Sequence, residues 1–183
     1  MTHVALVEPE TATGTVKQQL DQIHAAFGAV PAMFRAVANS PAALTSMWGS
    51  FGAFGGGTLG AAIGEQLAVA VADRNRCEYC LAAHTALGRK AGVSRDALAS
   101  AQTGQSDDPR IAALLTFALA LVDQRGQIAE SDVDAVRAAG WSDEEIVETI
   151  GQVALNIFTN YVNVALGTPV DFPSIPFRSG TAA

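Results

Sequence analysis

The stretch Gly64-Glu65-Gln66-Leu67-Ala68-Val69-Ala70-Val71-Ala72-Asp73-Arg74-Asn75-Arg76-Cys77-Glu78-Tyr79-Cys80-Leu81-Ala82-Ala83-His84 reads as two helices with a polar break between them. Leu59, Ile63, Leu67 and Val71 share one face of a segment that begins at Thr58. Asp73 to Arg76 then interrupts helical order, and a new helix starts at about Cys77, runs through Leu81 and Leu87, and stops near Gly92. With Cys77 opening that helix, Cys80 lies three residues on and His84 seven. At about 100° per residue the three side chains fall within an arc of roughly 60°. Both sulfurs sit in the first turn, where free N–H groups and the positive end of the helix dipole favour an anion.

A free thiol has a pKa of about 8.5 and is only a few per cent ionised at pH 7, yet the thiolate is its reactive form. A helix terminus typically contributes about 0.3 to 1 kcal/mol, less than one pKa unit at about 1.36 kcal/mol each. Further help is needed, and His84, at i+4 from Cys80, can accept the thiol proton or hold the thiolate once charged. Glu65 lies twelve positions before Cys77 and would point away from this face on one unbroken helix; the break lets the earlier helix fold back so that its carboxylate orients the imidazole. The competing readings are two buried small hydrophobes, or a zinc site made of Cys77, Cys80, His84 and Glu65, although structural zinc usually takes more thiolates from two separate knuckles. Leu81 after Cys80 excludes a C-x-x-C-H haem attachment. The arrangement favours thiol redox chemistry.

Outward from this core, apolar spacing stays helical and nowhere alternates as a strand would, so the chain is expected to be all-α. Val16, Leu20, Ile23 and Phe27 mark a first helix ending at Gly28, and a short apolar turn runs from Pro31 to Val37. Ser40 caps the next helix with Pro41 at its first position, Leu44, Met47, Trp48 and Phe51 form its buried stripe, and Gly55-Gly56-Gly57 ends it. Ser94 caps a short helix, and Pro109 opens a long one closed by Gly126. A short helix spans Ser131 to Ala139, and Ser142 with Glu145 forms a capping box for the last helix. Ile146, Ile150, Val153, Ile157, Phe158, Tyr161 and Val162 are its buried stripe; Asn156, Asn160 and Asn163 are assigned to its polar side. His3 is read as part of a mobile terminus and His24 as a helix-surface residue. The expected organisation is one domain over residues 1–183, with a redox core at about 58–126 and an extended tail at 168–183. Three prolines, Pro169, Pro173 and Pro176, keep that tail from being helical, and it is expected to lie along another surface, such as a neighbouring subunit's.

Composition narrows the function. Of the 183 residues, 49% are hydrophobic and 16% charged, with a mean hydropathy of +0.24, which suits burial in an oligomer. The longest apolar run, Ile111 to Val122, is too short to span a bilayer, and the first residues lack the basic and apolar regions of a secretory signal, so a cytoplasmic protein is expected. A net charge of −7 and the absence of a Lys/Arg cluster argue against nucleic acid. Gly55-Gly56-Gly57 lacks the Lys-Ser/Thr successor of a phosphate loop.

The spacing Glu65, Cys77, Cys80, His84, or E-x11-C-x2-C-x3-H, resembles the core of alkylhydroperoxidase D and the wider carboxymuconolactone decarboxylase-like family. Ser40-Pro41-Ala42-Ala43-Leu44 resembles the helix opening before that core, and Asp171-Phe172-Pro173 the tail of peroxidase-related members. The resemblance implies an all-α helical bundle, commonly trimeric or hexameric, that reduces hydroperoxides without a bound cofactor or metal. It implies Cys80 as the peroxide-attacking thiolate, Cys77 as its resolving partner, His84 as base, Glu65 as relay carboxylate, and an external dithiol as reductant. Some members hold a second histidine between the cysteines, where this chain has Glu78 and Tyr79. Alternatives are a disulfide reductase or thiol adaptor that never meets peroxide, a lactone-decarboxylating lyase, and a non-catalytic zinc-binding module.

Overall fold

The computed structural model describes residues 2–179; residue 1 and residues 180–183, the end of the expected tail, lie outside the described residues. Among the described residues there are nine helices and no strand, so the expected all-α class is borne out. They are α1 (Gly14–Phe27), α2 (Ala32–Val37), α3 (Pro41–Gly55), α4 (Gly60–Arg74), α5 (Glu78–Lys90), α6 (Arg95–Ala101), α7 (Pro109–Asp123), α8 (Glu130–Ala138) and α9 (Asp143–Leu166). Local chemistry sets their starts. The Ser40 hydroxyl accepts the Ala43 N–H at 3.3 Å with Pro41 in the first turn, and Asp108 accepts the Arg110 N–H at 2.8 Å ahead of α7. At α9, Ser142 Oγ accepts from the Glu145 N–H at 3.3 Å and Glu145 accepts from the Ser142 N–H at 2.8 Å, the reciprocal box read from the sequence. The segment Pro31 to Val37, read as a turn, is helical from Ala32.

Helix α4 is the centre. From Gln66 to Asp73 every residue is buried, because α5, α7 and α9 pack around it and leave no solvated side. Its small and branched side chains, Ala68, Val69, Ala70, Val71 and Ala72, allow close approach on all sides. Leu67, Leu81, Leu114 and Leu115 are fully buried beside them, each contributing about 1.5 to 3 kcal/mol by removal from water. Among the described residues no helix is long and apolar enough to cross a membrane.

After α9 the chain continues without helix through residue 179. The described part of this tail makes contacts along its own chain. Buried Asp73, at the end of α4, accepts the Arg178 and Ser179 N–H groups, both at 2.8 Å. The Arg76 guanidinium lies 4.1 Å from the Phe177 ring centroid, and Ser174 bonds Glu78 at 3.0 Å. The amino-terminal segment is also held: His3 N–H donates to the Leu166 carbonyl at 2.8 Å, so His3 is tied to the end of α9 and not loose. His24 is exposed on α1 as read.

Candidate active site

The helical break is shorter than the sequence suggests. Asp73 and Arg74 remain in α4, and only Asn75-Arg76-Cys77 connects it to α5. The connection is tight because each of its N–H groups bonds back: Asn75 to the Val71 carbonyl at 2.9 Å, Arg76 to Asp73 at 3.1 Å, and Cys77 to Ala72 at 2.9 Å. Arg76 takes the left-handed conformation, φ 56°, uncommon for a residue with a side chain, and its guanidinium is anchored on the Ser179 carbonyl at 3.1 Å. This turn sends α5 back along α4. Gly88 then permits close contact, since a Cβ there would lie 3.3 Å from the Glu65 Cβ and 2.7 Å from the Leu98 Cδ2. As a result His84 Nδ1 and Glu65 Oε2, nineteen positions apart, lie 2.8 Å from each other, with side chains 12% and 20% exposed. A carboxylate at Nδ1 favours the tautomer protonated there and leaves Nε2 as the basic nitrogen.

Cys77 is the N-cap of α5, and its sulfur accepts the Cys80 N–H at 3.2 Å. The two sulfurs lie near disulfide-bonding distance, with Cα atoms 5.3 Å apart, and both residues are buried. The Cys80 sulfur also accepts from Asn163 Nδ2 at 3.2 Å. That contact corrects the assignment of the α9 asparagines to the solvated side: Asn156, Asn160 and Asn163 are all buried, whereas Ile150 and Tyr161 of the expected apolar stripe are exposed. The helix turns its amides inward because the space behind the cysteines is polar: Asn160 accepts from Asn75 Nδ2 at 2.9 Å at the very turn that precedes Cys77.

A cavity of about 450 Å³ opens on Cys80 and His84 and is walled by Phe34, Phe51, Tyr79 and Phe172. A second, of about 330 Å³, lies against Glu65, Gln152 and Asn156 and shares His84, Phe27 and Phe51 with the first. The imidazole therefore stands between two chambers. Phe34 packs edge-on to Trp48 and Phe51 at 5.8 and 5.7 Å, so the aromatics read as core also form the cavity wall. Tyr79 is buried between the cysteines; its hydroxyl donates to Asp171 Oδ2 at 2.7 Å and accepts the Met33 N–H at 3.4 Å. Burial, reinforced by the Asp171 carboxylate, pushes the Tyr79 phenol far above its ordinary range. It is a hydrogen-bond donor and not a base, and does not replace a second histidine. Among the described residues no group of three or more His, Cys, Asp or Glu side chains is placed to hold a metal ion.

Sequence reasoning finds Glu65, Cys77, Cys80 and His84, and the fold brings these four to one place. It misses Asn163, Asp171 and Phe172. The asparagine spacing of four and then three was the available signal for a buried seam, because it continues Ile146, Thr149 and Val153 along one side of α9.

A cysteine pair at a helix start, backed by a histidine–carboxylate pair and opening on an apolar cavity, thus marks the candidate site. Residues 40–124 match the model of the carboxymuconolactone decarboxylase family, the wider family that E-x11-C-x2-C-x3-H resembles. The described residues have the alkylhydroperoxidase D-like fold. It is similar to the structure of an alkylhydroperoxidase AhpD core, an uncharacterized peroxidase-related protein of Ralstonia eutropha JMP134, at 23% identity and TM-score 0.82, covering 93% of this chain and 92% of that one. A peroxidase-related protein of Silicibacter sp. TM1040 matches at 22% identity and TM-score 0.81, covering 92% and 91%. The debrominase Bmp8, solved as a cysteine-to-alanine variant with 2,3,4-tribromopyrrole, matches at 17% identity and TM-score 0.80, covering 93% and 92%. At these identities the likeness shows the fold. No curated protein matches the chain.

Proposed function

We propose that the protein is a thiol-dependent hydroperoxide reductase. The observation that carries this reading is that Cys80 and His84 open on one apolar cavity while Cys77 sits against Cys80 and Glu65 holds the imidazole. In the reduced protein His84 takes the Cys80 proton, and Asn163 donates to the resulting thiolate. The thiolate attacks the terminal peroxide oxygen. The O–O bond breaks, the alkoxide leaves and takes the proton from His84 as an alcohol, and Cys80 becomes a sulfenic acid. The Cys77 thiolate then attacks the Cys80 sulfur, forming the disulfide and releasing hydroxide, which is protonated to water. An external dithiol, oxidised to its own disulfide, returns the pair to the reduced state by thiol–disulfide exchange. The substrate is a hydroperoxide, the reductant a dithiol protein or small thiol, and the working form an oligomer.

The test is a thiol count on reduced protein before and after one equivalent of cumene hydroperoxide. Loss of both thiols, with a trappable sulfenic acid in Cys77→Ser and none in Cys80→Ser, supports the scheme. Thiols that survive the peroxide but exchange rapidly with a disulfide substrate would replace it with the reductase or adaptor reading.

A second reading is reductive dehalogenation, favoured by the debrominase among the fold relatives and by the aromatic cavity. Here the dithiol is oxidised to the disulfide, the carbon–halogen bond breaks, the carbon takes one thiol-derived proton to form a carbon–hydrogen bond, and the halogen leaves as halide with the second proton released. Bromide release from a bromopyrrole by the reduced protein, in the absence of peroxide turnover, would select it.

A further inference from the structure

The cavity is not completed by the helices that carry the cysteines. One of its walls is Phe172 of the tail, ninety-two positions after Cys80 and half-buried where it meets the bundle. Two contacts hold it. Its ring lies edge-on to Tyr79 at 5.9 Å between centroids and 87° between planes. Its neighbour Asp171 accepts the Tyr79 hydroxyl and the Ala32 N–H, each at 2.7 Å, so one carboxylate ties the tail to the start of α2 and to the residue between the cysteines. The Asp171 Oδ2 atom is thereby committed to the protein, and the apolar surface offered to a ligand is the Tyr79–Phe172 corner beside Cys80. Farther along, Asp73, Arg76 and Glu78 fasten the rest of the tail to the α4–α5 turn, so the corner is braced from both sides.

We infer that the tail is part of the active site: Phe172 is a specificity-determining residue that, with Tyr79, selects substrates carrying a compact aromatic or branched apolar group, and Asp171 is the positioning residue that sets this wall. The inference rests on the hydroperoxide reading. A cavity of about 450 Å³ accommodates such a group, and edge-to-face packing against two perpendicular rings rewards a flat partner more than a thin one. A molecule as small as hydrogen peroxide touches the corner hardly at all. The wall therefore acts on the ratio of the two substrates and not on the chemistry of the sulfur.

The experiment compares kcat/KM for cumene hydroperoxide and hydrogen peroxide in the full chain and in Phe172→Ala, Tyr79→Phe and Asp171→Asn. Phe172→Ala is expected to lower the cumene-to-hydrogen-peroxide ratio about tenfold, mainly through a rise in KM for cumene hydroperoxide. Tyr79→Phe and Asp171→Asn lower it less, since the rings remain. A ratio unchanged in Phe172→Ala, with the variant folded by circular dichroism, overturns the inference. If neither peroxide oxidises the wild-type thiols, the hydroperoxide reading fails by itself. Titration calorimetry with the inert alcohol 2-phenylpropan-2-ol then decides the wall: binding weakened about tenfold in Phe172→Ala sustains it, and equal binding or none in the wild type overturns it.

Discussion

Asn163 Nδ2 donates to the Cys80 sulfur at 3.2 Å from the other end of the fold, eighty-three positions along the chain. A buried amide N–H directed at sulfur stabilises the thiolate more than the thiol. In a Cys77→Ser background, Asn163→Leu is expected to slow alkylation of Cys80 at pH 7 about tenfold and to move its pH profile to higher pH, the size set by one hydrogen bond to a charged group. Stopped-flow alkylation across pH measures both. An unmoved profile would mean that the contact packs the helix without tuning the sulfur.

The His84–Glu65 pair predicts non-additive losses. His84→Gln is expected to slow peroxide-driven thiol oxidation about a hundredfold, as removal of a general base does. Glu65→Gln should cost less, because the imidazole remains but is no longer held by a charge. The double variant should be no slower than His84→Gln alone, since the carboxylate acts only through the ring. Rates that multiply would separate the two groups.

Gly88 predicts a stability effect with a functional consequence. A methyl group there overlaps the Leu98 Cδ2 at 2.7 Å and crowds the Glu65 Cβ at 3.3 Å, and Leu98 is itself buried. Gly88→Ala is expected to destabilise the fold by about 1 to 3 kcal/mol in urea unfolding. It also pushes α4 away from α5 at the carboxylate, so activity at full folding falls as well.

Acid should loosen the molecule where α9 begins. Glu145 is held below its ordinary value of 4.5 first by the Ser142 N–H, with Arg110 assisting. Glu148 is opposed by burial, but the Thr58 hydroxyl and N–H outweigh it and also lower the carboxyl. Both folded-state values lie beneath the unfolded ones. Their contribution is therefore complete above about pH 4.5 and is lost as pH falls through the depressed values. Chemical denaturation from pH 7 to 3 should show a plateau and then a decline, and Glu148→Gln should flatten part of the decline.

The helical order, the caps at Ser40, Ser94 and Ser142, and the meeting of Glu65 with His84 are legible because each depends on residues near in sequence or on one short turn. The polar run puts the break two residues too early, since Asp73 and Arg74 are polar yet helical: Asp73 is buried under tail N–H groups that no local pattern announces. Polarity alone puts the asparagines of α9 on the solvated side for a related reason. Two seams run along that helix one position apart, Ile146-Thr149-Val153-Asn156-Asn160-Asn163 inward and Val147-Ile150-Ala154-Tyr161-Val164 outward, and hydrophobicity alone favours the outer one. Only the polar surroundings of the cysteine turn make the inner one correct. Asp171 and Phe172 were hidden because their partners, Tyr79 and Ala32, are set by the path of the tail.

Cys77 and Cys80 are 1% and 2% exposed. In the proposed cycle this makes the cavity a sieve for both half-reactions. The oxidant must be small enough to pass the aromatic walls, and whatever returns the electrons must use the same narrow entrance or present a slender thiol-bearing arm to it. Burial of the sulfurs thus shields the oxidised intermediate from casual thiols in the surroundings, and the speed of recovery depends on the shape of the reductant as much as on its potential.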